Sequence, residues 1–264
     1  MTSKLIAYLR YASLFLRKNH DPKTKYAAFR VVTKLGQRLL PQYRFTFPEM
    51  EWWHNASFNE YLARFDEAHG FNTHRKWMLK QLLRLTAAVE GDTAECGVYR
   101  GASSWLILQA NAKARSSAPK VHYLFDSFEG LSEPDSRDGS HWRRGSLMAG
   151  VDEVVRNLLP FEVGKSYKIC KGWIPDRFHE VEANTFSFVH IDVDLYQPTL
   201  DSVQFFYPRL SSGGVLVCDD YGFDTCPGAT RAIDEFLADK EEKMISLADG
   251  GGFFVKGVHI SPDL

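Results

Sequence analysis

The chain passes from an apolar run into a helical stretch through Glu95-Cys96-Gly97-Val98-Tyr99-Arg100-Gly101-Ala102-Ser103. Glycine lets backbone N–H groups approach a ligand closely, and the N-terminus of the following helix favours negative charge. The segment is not the dinucleotide fingerprint, because G-x-G-x-x-G would need a glycine at position 99. It suits instead a ligand without a pyrophosphate, whose amino-acid end carries an ammonium and a carboxylate. A tight strand-to-helix turn without a ligand is the alternative.

From Gly91 onward, short apolar runs alternate with amphipathic stretches. We predict strands at 94–96, 121–125, 167–170, 186–193 and 215–218, and helices at 102–113, 151–159, 174–179, 198–210 and 228–238. Strands that alternate with helices indicate βαβ units, and therefore a parallel sheet with helices on both faces. The stretches 244–247 and 253–258 predict two further strands near the end of the chain.

The first part of the chain has a different character. Its patterns predict helices at 4–18, 25–40, 57–68 and 73–89. Residues 1–44 hold ten Lys or Arg and a single acid, Asp21, whereas the rest of the chain holds 22 basic and 32 acidic residues. We therefore predict a basic N-terminal helical extension over residues 1–80 and an acidic α/β domain over residues 81–264.

Bulk properties are those of a soluble globular protein. The 264 residues are 44% hydrophobic, 25% charged and carry a formal net charge of -1. None of the four cysteines forms a C-x-x-C pair, and most lie in predicted strands, which favours a reducing compartment. The apolar run at 5–9 is interrupted by Arg10, so no signal peptide is evident. We expect a cytoplasmic protein without a nucleic-acid partner.

An acid, Asp126, directly follows the predicted strand 121–125. In doubly wound folds an acid at this place accepts hydrogen bonds from ribose hydroxyls. Asp126 lies 25 residues after Gly101, near the spacing of roughly 20 residues that is typical of nucleotide sites. A strand-end Asp that caps a turn is the alternative.

Two further acidic clusters close neighbouring strands. His190-Ile191-Asp192-Val193-Asp194 ends one predicted strand, and Asp219-Asp220 ends the next. Because ligands bind beyond the carboxyl ends of parallel strands, these clusters should meet there. Carboxylates that converge repel one another unless a cation lies among them, and hard oxygen ligands select Mg²⁺, Mn²⁺ or Ca²⁺ rather than zinc. A metal needs only some of these carboxylates, which leaves one for proton transfer.

Weaker candidates lie in the loops. Gly172 and Trp173 follow a predicted strand and could border an adenine, although Trp173 is equally consistent with a core residue. Two residues are candidates for substrate contact. His141 lies in the irregular stretch 127–150, and Tyr196 follows the acidic cluster that closes the predicted strand at 186–193.

Taken together, these segments resemble the macrocin O-methyltransferase family. The match runs from about residue 91 to 240 and includes Glu95-x-Gly97-Val98-Tyr99-Arg100-Gly101, Phe125-Asp126-Ser127-Phe128-Glu129-Gly130-Leu131, Lys171-Gly172-Trp173, His190-Ile191-Asp192-Val193-Asp194-Leu195-Tyr196, Asp219-Asp220-Tyr221-Gly222, Pro227-Gly228-Ala229 and Asp234-Glu235-Phe236. Enzymes of that family methylate sugar hydroxyls of natural products with S-adenosylmethionine and Mg²⁺.

The resemblance implies a Rossmann-like class I methyltransferase domain, with seven strands of which the last is antiparallel, after the N-terminal extension. It implies that Asp192, Asp219 and Asp220 hold Mg²⁺ or Mn²⁺, that Asp194 is the general base, and that the segment after Asp126 is a lid. The residues that it places at S-adenosylmethionine are Glu95, Gly97, Tyr99, Gly101, Ser103, Asp126, Ser127, Gly172, Trp173 and Asp192.

The prediction is therefore an S-adenosylmethionine- and Mg²⁺-dependent O-methyltransferase that acts on a hydroxyl of a sugar, a diol-containing small molecule or a glycan. One alternative is a metal-dependent glycosyltransferase that uses Asp192-Val193-Asp194 as a D-x-D motif. Another is a non-catalytic scaffold with a basic arm. Residues 1–44 could contact a membrane surface peripherally or pack on the acidic body of a homo-oligomer.

Overall fold

Seven strands lie in one sheet in the computed structural model, which describes residues 22–41, 50–67 and 72–261. The strands are β1 (Asp92–Cys96), β2 (His122–Asp126), β3 (Tyr167–Lys171), β4 (Phe186–Ile191), β5 (Leu210–Cys218), β6 (Ile245–Ser246) and β7 (Gly252–Val255). Their order across the sheet is β3-β2-β1-β4-β5-β7-β6. The strands from β3 to β5 are parallel, whereas β7 is antiparallel to β5 and β6. The predicted Rossmann-like, mostly parallel sheet with an antiparallel last strand is confirmed.

Helices connect the parallel strands. The α-helices of the described residues are α1 (Pro22–Leu39), α2 (Ala56–Arg64), α3 (Thr73–Leu82), α4 (Ala102–Asn111), α5 (Val151–Asn157), α6 (Tyr196–Phe206) and α7 (Pro227–Leu237). Short 3-10 helices lie at Glu51–His54, Phe178–Val181 and Tyr207–Arg209. The chain forms two compact units, residues 1–61 and residues 62–264. The larger unit contains the whole sheet.

The central strands of the sheet are buried on both faces, as expected of a parallel sheet. Every residue of β4 is buried. On one face, Phe206 of α6 meets Phe186 of β4 with ring centroids 5.0 Å apart and ring planes at 84°. Such edge-to-face packing adds to area burial, and truncation of a buried Phe to Ala typically costs about 3–5 kcal/mol.

The strand order places a topological switch point between β1 and β4. From β1 the chain continues outward to β2 and β3, then returns to the other side of β1 to form β4 and β5. The loops that follow β1 and β4 therefore leave the sheet in opposite directions and open a crevice. Open α/β sheets bind their ligands at this crevice.

Some predicted elements differ from the observed ones. The helix predicted at 174–179 is wrong as an α-helix, since turns and the 3-10 helix Phe178–Val181 take its place. The six residues of this segment are too few to sustain an α-helix without strong packing. Strand β5 begins at Leu210 rather than 215, and its pairing with β4 shifts in register between Phe186 and Phe188.

The N-terminal predictions are only partly covered by the described residues. The helix predicted at 25–40 corresponds to α1, whereas the helix predicted at 4–18 lies outside the described residues. The helix predicted at 73–89 ends at Leu82 as α3 and continues as turns. The domain boundary at 80/81 stays a prediction. Among the described helices, none combines the length and apolar character that crossing a bilayer requires.

Candidate active site

A cleft of about 430 Å³ lies beyond the carboxyl ends of the parallel strands, at the switch point. Each of these strands contributes to its lining at or just after its last residue: Gly97 after β1, Asp126 at the end of β2, Gly172 after β3, Asp192 after β4, and Asp219 after β5. The sequence pattern predicted this convergence. The acids and the glycine turn therefore face one space.

The glycine turn after β1 depends on the absence of side chains. Gly97 has a φ of +82°, and a Cβ added to it would lie 1.7 Å from the carbonyl oxygen of Asp192. Gly101, with a φ of +85°, precedes the first residue of α4. Gly97 thus brings the turn against the residue that follows β4, whereas a Cβ at Gly101 would lie 3.3 Å from Leu158. The cleft wall at this turn includes Tyr99 and Ser103.

Asp126 ties the end of β2 to this turn. Its Oδ2 accepts hydrogen bonds from the backbone N–H groups of Val98 at 2.7 Å and Tyr99 at 3.1 Å. Its Oδ1 accepts one from the N–H of Phe128 at 2.6 Å. The neighbouring Ser127 also lines the cleft, and its hydroxyl donates to the carbonyl oxygen of Gly130 at 3.0 Å. The carboxylate of Asp126 thus holds the glycine turn, the predicted cofactor site, against the end of β2.

Glu95 lies behind the cleft wall rather than in it. Its side chain is 1% exposed, accepts a hydrogen bond from the hydroxyl of Ser104, and lies 3.6 Å from His122 Nε2 and 3.2 Å from His190 Nδ1. Burial alone raises the pKa of Glu95, but the two histidines outweigh it and lower the pKa to about 2. The acid of the glycine motif is therefore a buried charge between histidines, and its predicted contact with the cofactor stays a prediction.

Four carboxylates meet at the ends of β4 and β5. His190, Asp192 and Asp219 form one group, in which one ligand atom from each residue lies within 4.8 Å of the others. Asp194, Asp220 and Cys226 form a second group with the same spacing. The predicted metal set of Asp192, Asp219 and Asp220 therefore spans two adjoining groups. Asp194, Asp219 and Asp220 are each about 5% exposed or less. An oxygen-rich and largely buried set of this kind could hold a hard divalent cation.

The carboxylates are electrostatically unequal. Burial and the charge of Asp192 raise the pKa of Asp194 to about 7, and burial and Asp194 raise the pKa of Asp220 well above its usual value. Burial also raises the pKa of Asp219, but Arg75 and Lys76 outweigh it and hold that pKa far below its usual range. Repulsion of this kind is relieved when a cation lies among the carboxylates.

Two basic residues of α3 reach the cleft, and sequence reasoning missed both. Arg75 Nη1 donates to the carboxylate and to the carbonyl oxygen of Asp219, the latter at 3.2 Å. Lys76 is 6% exposed, and its Nζ donates to the hydroxyl of Ser103 at 2.7 Å. Nothing in their local sequence distinguishes these two from the other basic residues of the first 80. Only the tertiary position of α3 does so.

Cys226 was also missed as a site residue. At the start of α7, its thiol lies 3.5 Å from Asp194 Oδ1 and 3.8 Å from Asp220 Oδ1. The indole N–H of Trp142, from the predicted lid, donates to the same sulfur at 3.3 Å. Burial raises the pKa of Cys226, so the thiol remains protonated and donates to Asp194. The lid segment is thereby connected to the predicted base.

The weaker candidates separate into two groups. Gly172 and Trp173 line the cleft as predicted. His141 is exposed and packs edge-on against Trp142 at 4.6 Å. Tyr196 is buried, its hydroxyl donates to Glu235 at 2.5 Å, and the guanidinium of Arg137 lies 3.6 Å from its ring centroid. Neither His141 nor Tyr196 belongs to the cleft lining.

Known proteins similar to this chain are O-methyltransferases. The chain is 26% identical over 201 residues to demethyldecarbamoylnovobiocin O-methyltransferase of Streptomyces niveus, which covers 69% of this chain and 76% of the relative. It is 30% identical over 155 residues to 8-demethyl-8-(2,3-dimethoxy-alpha-L-rhamnosyl)-tetracenomycin-C 4'-O-methyltransferase of Streptomyces olivaceus. That alignment covers 56% of this chain and 59% of the relative, which is less than two thirds of the relative's length.

Comparison of structures supports the same fold. The crystal structure of CalS11, a calicheamicin methyltransferase, superposes with a TM-score of 0.64 at 18% identity, over 93% of this chain and 97% of that chain. Residues 75–256 match the sequence model of the family described as macrocin-O-methyltransferase (TylF). The match includes most of α3, the glycine turn and all four carboxylates of the cleft. The chain therefore belongs to the macrocin-O-methyltransferase (TylF) family and is an O-methyltransferase.

Proposed function

We propose that the protein uses S-adenosylmethionine and a divalent metal, Mg²⁺ or Mn²⁺, to methylate a hydroxyl of a sugar, a diol-containing small molecule or a glycan. The observation that carries this proposal is the convergence on one cleft of a glycine turn and four carboxylates, of which three are buried and one, Asp192, is half-buried. The named relatives act on demethyldecarbamoylnovobiocin and on the rhamnosyl group of a tetracenomycin, which supports a sugar hydroxyl as the acceptor.

The cleft fits S-adenosylmethionine. The absence of a Cβ at Gly97 lets the turn after β1 pack against the carbonyl oxygen of Asp192 at the cleft wall, and Ser103 offers a hydroxyl in the first turn of α4. Asp126 lies at the end of β2, where acids meet ribose hydroxyls in this class of fold. Gly172 and Trp173 border the same space and suit an adenine. We therefore propose that these residues, with Tyr99 and Ser127, form the donor site, and that Gly101, which lies outside the cleft lining, contributes by shaping the turn before α4.

The carboxylates fit a divalent metal. Asp192, Asp219 and Asp220 would hold it, because they approach the cleft from two neighbouring strands and offer oxygen atoms only. When bound, the metal would acidify the acceptor hydroxyl, and S-adenosylmethionine would supply the methyl group. His190 lies close to Asp192 and Asp219. Because its Nδ1 faces Glu95, we do not assign His190 as a metal ligand.

Asp194 is the proposed general base. Its pKa of about 7 suits proton transfer near neutral pH. The backbone at Asp194 is left-handed, with a φ of +59°, and its N–H donates to Asp220 Oδ2 at 2.8 Å. The thiol of Cys226 contacts Oδ1. These contacts fix the carboxylate so that it faces the cleft and can accept the proton of the acceptor hydroxyl.

Calorimetric titration with S-adenosylmethionine and with UDP-sugars tests the donor. The D-x-D motif of Asp192-Val193-Asp194 left a glycosyltransferase open, and a catalytically inactive scaffold was the other alternative. Membership of an O-methyltransferase family favours the methyl donor. We expect S-adenosylmethionine to bind and UDP-sugars to leave the signal unchanged. Binding of a UDP-sugar alone would contradict the proposal.

The remaining expectations concern partners and location. We propose a cytoplasmic homo-oligomer, with residues 1–44 either packed on the protein or in peripheral contact with anionic lipid. The basic composition of that segment supports both options. Liposome co-sedimentation with and without residues 1–44 tests the lipid contact, and an unchanged bound fraction would remove it. Light scattering coupled to gel filtration gives the oligomeric state.

A further inference from the structure

Arg75 approaches the proposed metal ligand Asp219 more closely than does any other basic residue described at this site. One guanidinium nitrogen, Nη1, donates both to Asp219 Oδ2 and to the backbone oxygen of the same residue. The other carboxylate oxygen, Oδ1, lies 3.7 Å from His190 Nε2. Both oxygens of Asp219 therefore already have a neighbour from the protein.

The guanidinium is held firmly in this place. Its Nη2 donates to the side-chain oxygen of Asn72, just before α3. Its Cζ lies 5.0 Å from the ring centroid of Phe223, within the range of a cation–π interaction. The side chain of Arg75 is only 19% exposed. An arginine fixed at three sides and largely out of water is a permanent positive charge of the site.

This charge acts on the whole carboxylate cluster. The acids that interact electrostatically with Arg75 are Asp219, Asp192, Asp220 and Asp194, in decreasing order. A divalent cation bound by these carboxylates would lie within a few ångströms of the guanidinium. At that distance, in a partly buried site, two positive charges repel strongly, since solvent screens them poorly.

We propose that Arg75 is the resident counter-cation of the carboxylate cluster, and that it competes with the divalent metal at Asp219 and thereby sets the metal affinity of the enzyme. The inference rests on the metal role proposed for Asp219. The metal must displace the guanidinium from Oδ2 or bind beside it. Through Arg75, metal binding is also linked to the position of α3.

The test is calorimetric titration of Mn²⁺ into the EDTA-treated and dialysed full chain, with Arg75→Gln compared with the wild type. Gln is similar in shape but carries no charge. We expect Arg75→Gln to bind Mn²⁺ about tenfold more tightly or better, because the competing charge is gone. Equal or weaker Mn²⁺ binding by Arg75→Gln would overturn the proposal.

A matched control is Arg84→Gln. Arg84 follows α3, is exposed, and donates to Gln81 Oε1 at 2.8 Å, away from the cleft. It makes the same change in net charge, so its Mn²⁺ affinity should equal that of the wild type. Should Arg75→Gln not fold, Arg75→Met, which also removes the charge, carries the test: tighter Mn²⁺ binding than in the wild type supports the proposal, and equal or weaker binding overturns it.

Thermal unfolding supplies a readout that a purely structural role would not give. Without added metal, Arg75→Gln should melt below the wild type, because Asp219 loses its partner. Saturating Mn²⁺ should raise the Tm of Arg75→Gln by more than that of the wild type, since the metal replaces the missing charge. If the wild type itself binds no Mn²⁺, the proposed metal role fails; if it binds and Arg75→Gln gains nothing, only this inference fails.

Discussion

The backbone N–H of Asp194 donates a hydrogen bond of 2.8 Å to Oδ2 of Asp220. The bond joins the acid that follows β4 to the acid that follows β5. Asp194 has left-handed backbone geometry at this point, with a φ of +59°. The loop that carries the proposed base, Asp194, is therefore held in place by a proposed metal ligand, Asp220. The proposed sites of proton transfer and of metal binding are joined by this hydrogen bond.

Substitution of single carboxylates should separate their roles. Asp194→Asn keeps the backbone N–H that Asp220 accepts, so we expect it to retain Mn²⁺ affinity while turnover falls by about 10²-fold or more. Asp219→Asn should instead weaken Mn²⁺ binding. Calorimetry and steady-state kinetics measure the two effects. Normal turnover by Asp194→Asn would show that the base assignment is wrong.

Gly97→Ala should abolish binding of S-adenosylmethionine. An added Cβ would lie 1.7 Å from the carbonyl oxygen of Asp192, so the turn and the end of β4 would have to separate. Gly164→Ala is the control, because Gly164 has a similar φ of +80° but nothing within 4 Å of an added Cβ. The control should cost only about 1 kcal/mol of backbone strain and keep donor affinity. Equal donor affinity in both variants would contradict this prediction.

The stability of the protein kept in EDTA should fall as the pH rises from about 5 to about 8. The pKa of Asp194 is raised to about 7, so the folded state holds a proton that the unfolded state loses near pH 4. The protonated carboxyl therefore stabilises the fold at low pH, and this contribution disappears as the pH passes about 7.

The same sign applies to His190. Burial lowers its pKa, but Asp219 and Glu95 outweigh burial and raise it to about 10, so its contribution also diminishes with rising pH. Calorimetric melting across this range should show Tm decreasing by at least roughly 2–4 °C, which corresponds to about 1 kcal/mol for a chain of this size. Asp194→Asn should flatten the slope. A Tm that increases with pH would contradict the raised pKa values of Asp194 and His190.

Trp142→Ala should weaken acceptor binding and spare donor binding. Trp142 lines the cleft from the lid segment and donates its indole N–H to Cys226, which contacts Asp194. We expect KM for the acceptor to increase about tenfold while S-adenosylmethionine affinity changes little. Exposed Arg144→Ala, in the same segment, is the control. A loss of donor affinity would place Trp142 at the other end of the cleft.

Much of the fold follows from local pattern. Apolar runs with helical spacers predict the parallel sheet, and strand-end acids predict where the site lies, because the carboxyl ends of parallel strands meet. Asp192, Asp194, Asp219 and Asp220 could be selected for this reason alone. The segment at 174–179 misled the prediction because its residue pattern is helix-like, whereas so short a segment forms turns and a 3-10 helix instead.

The missed residues reach the site by tertiary packing. Arg75 and Lys76 come from a helix that precedes the sheet, and Cys226 lies at the start of α7 in what reads as a loop. Local sequence patterns do not link these residues to their partners. The contacts of Arg75 with Asp219, Lys76 with Ser103 and Cys226 with Asp194 join residues that are 27 to 144 positions apart. Glu95 illustrates the opposite case: its place in the motif is evident, but its burial between two histidines is not.

The most direct test of the account is a mass-spectrometric assay of methyl transfer from S-adenosylmethionine to a panel of glycosides and diol-bearing metabolites, in parallel with Mg²⁺ and with EDTA. The account predicts that a methylated acceptor forms with Mg²⁺, that it disappears with EDTA, and that added Mg²⁺ restores it. Methyl transfer that proceeds equally in EDTA would contradict the metal role of the carboxylate cluster.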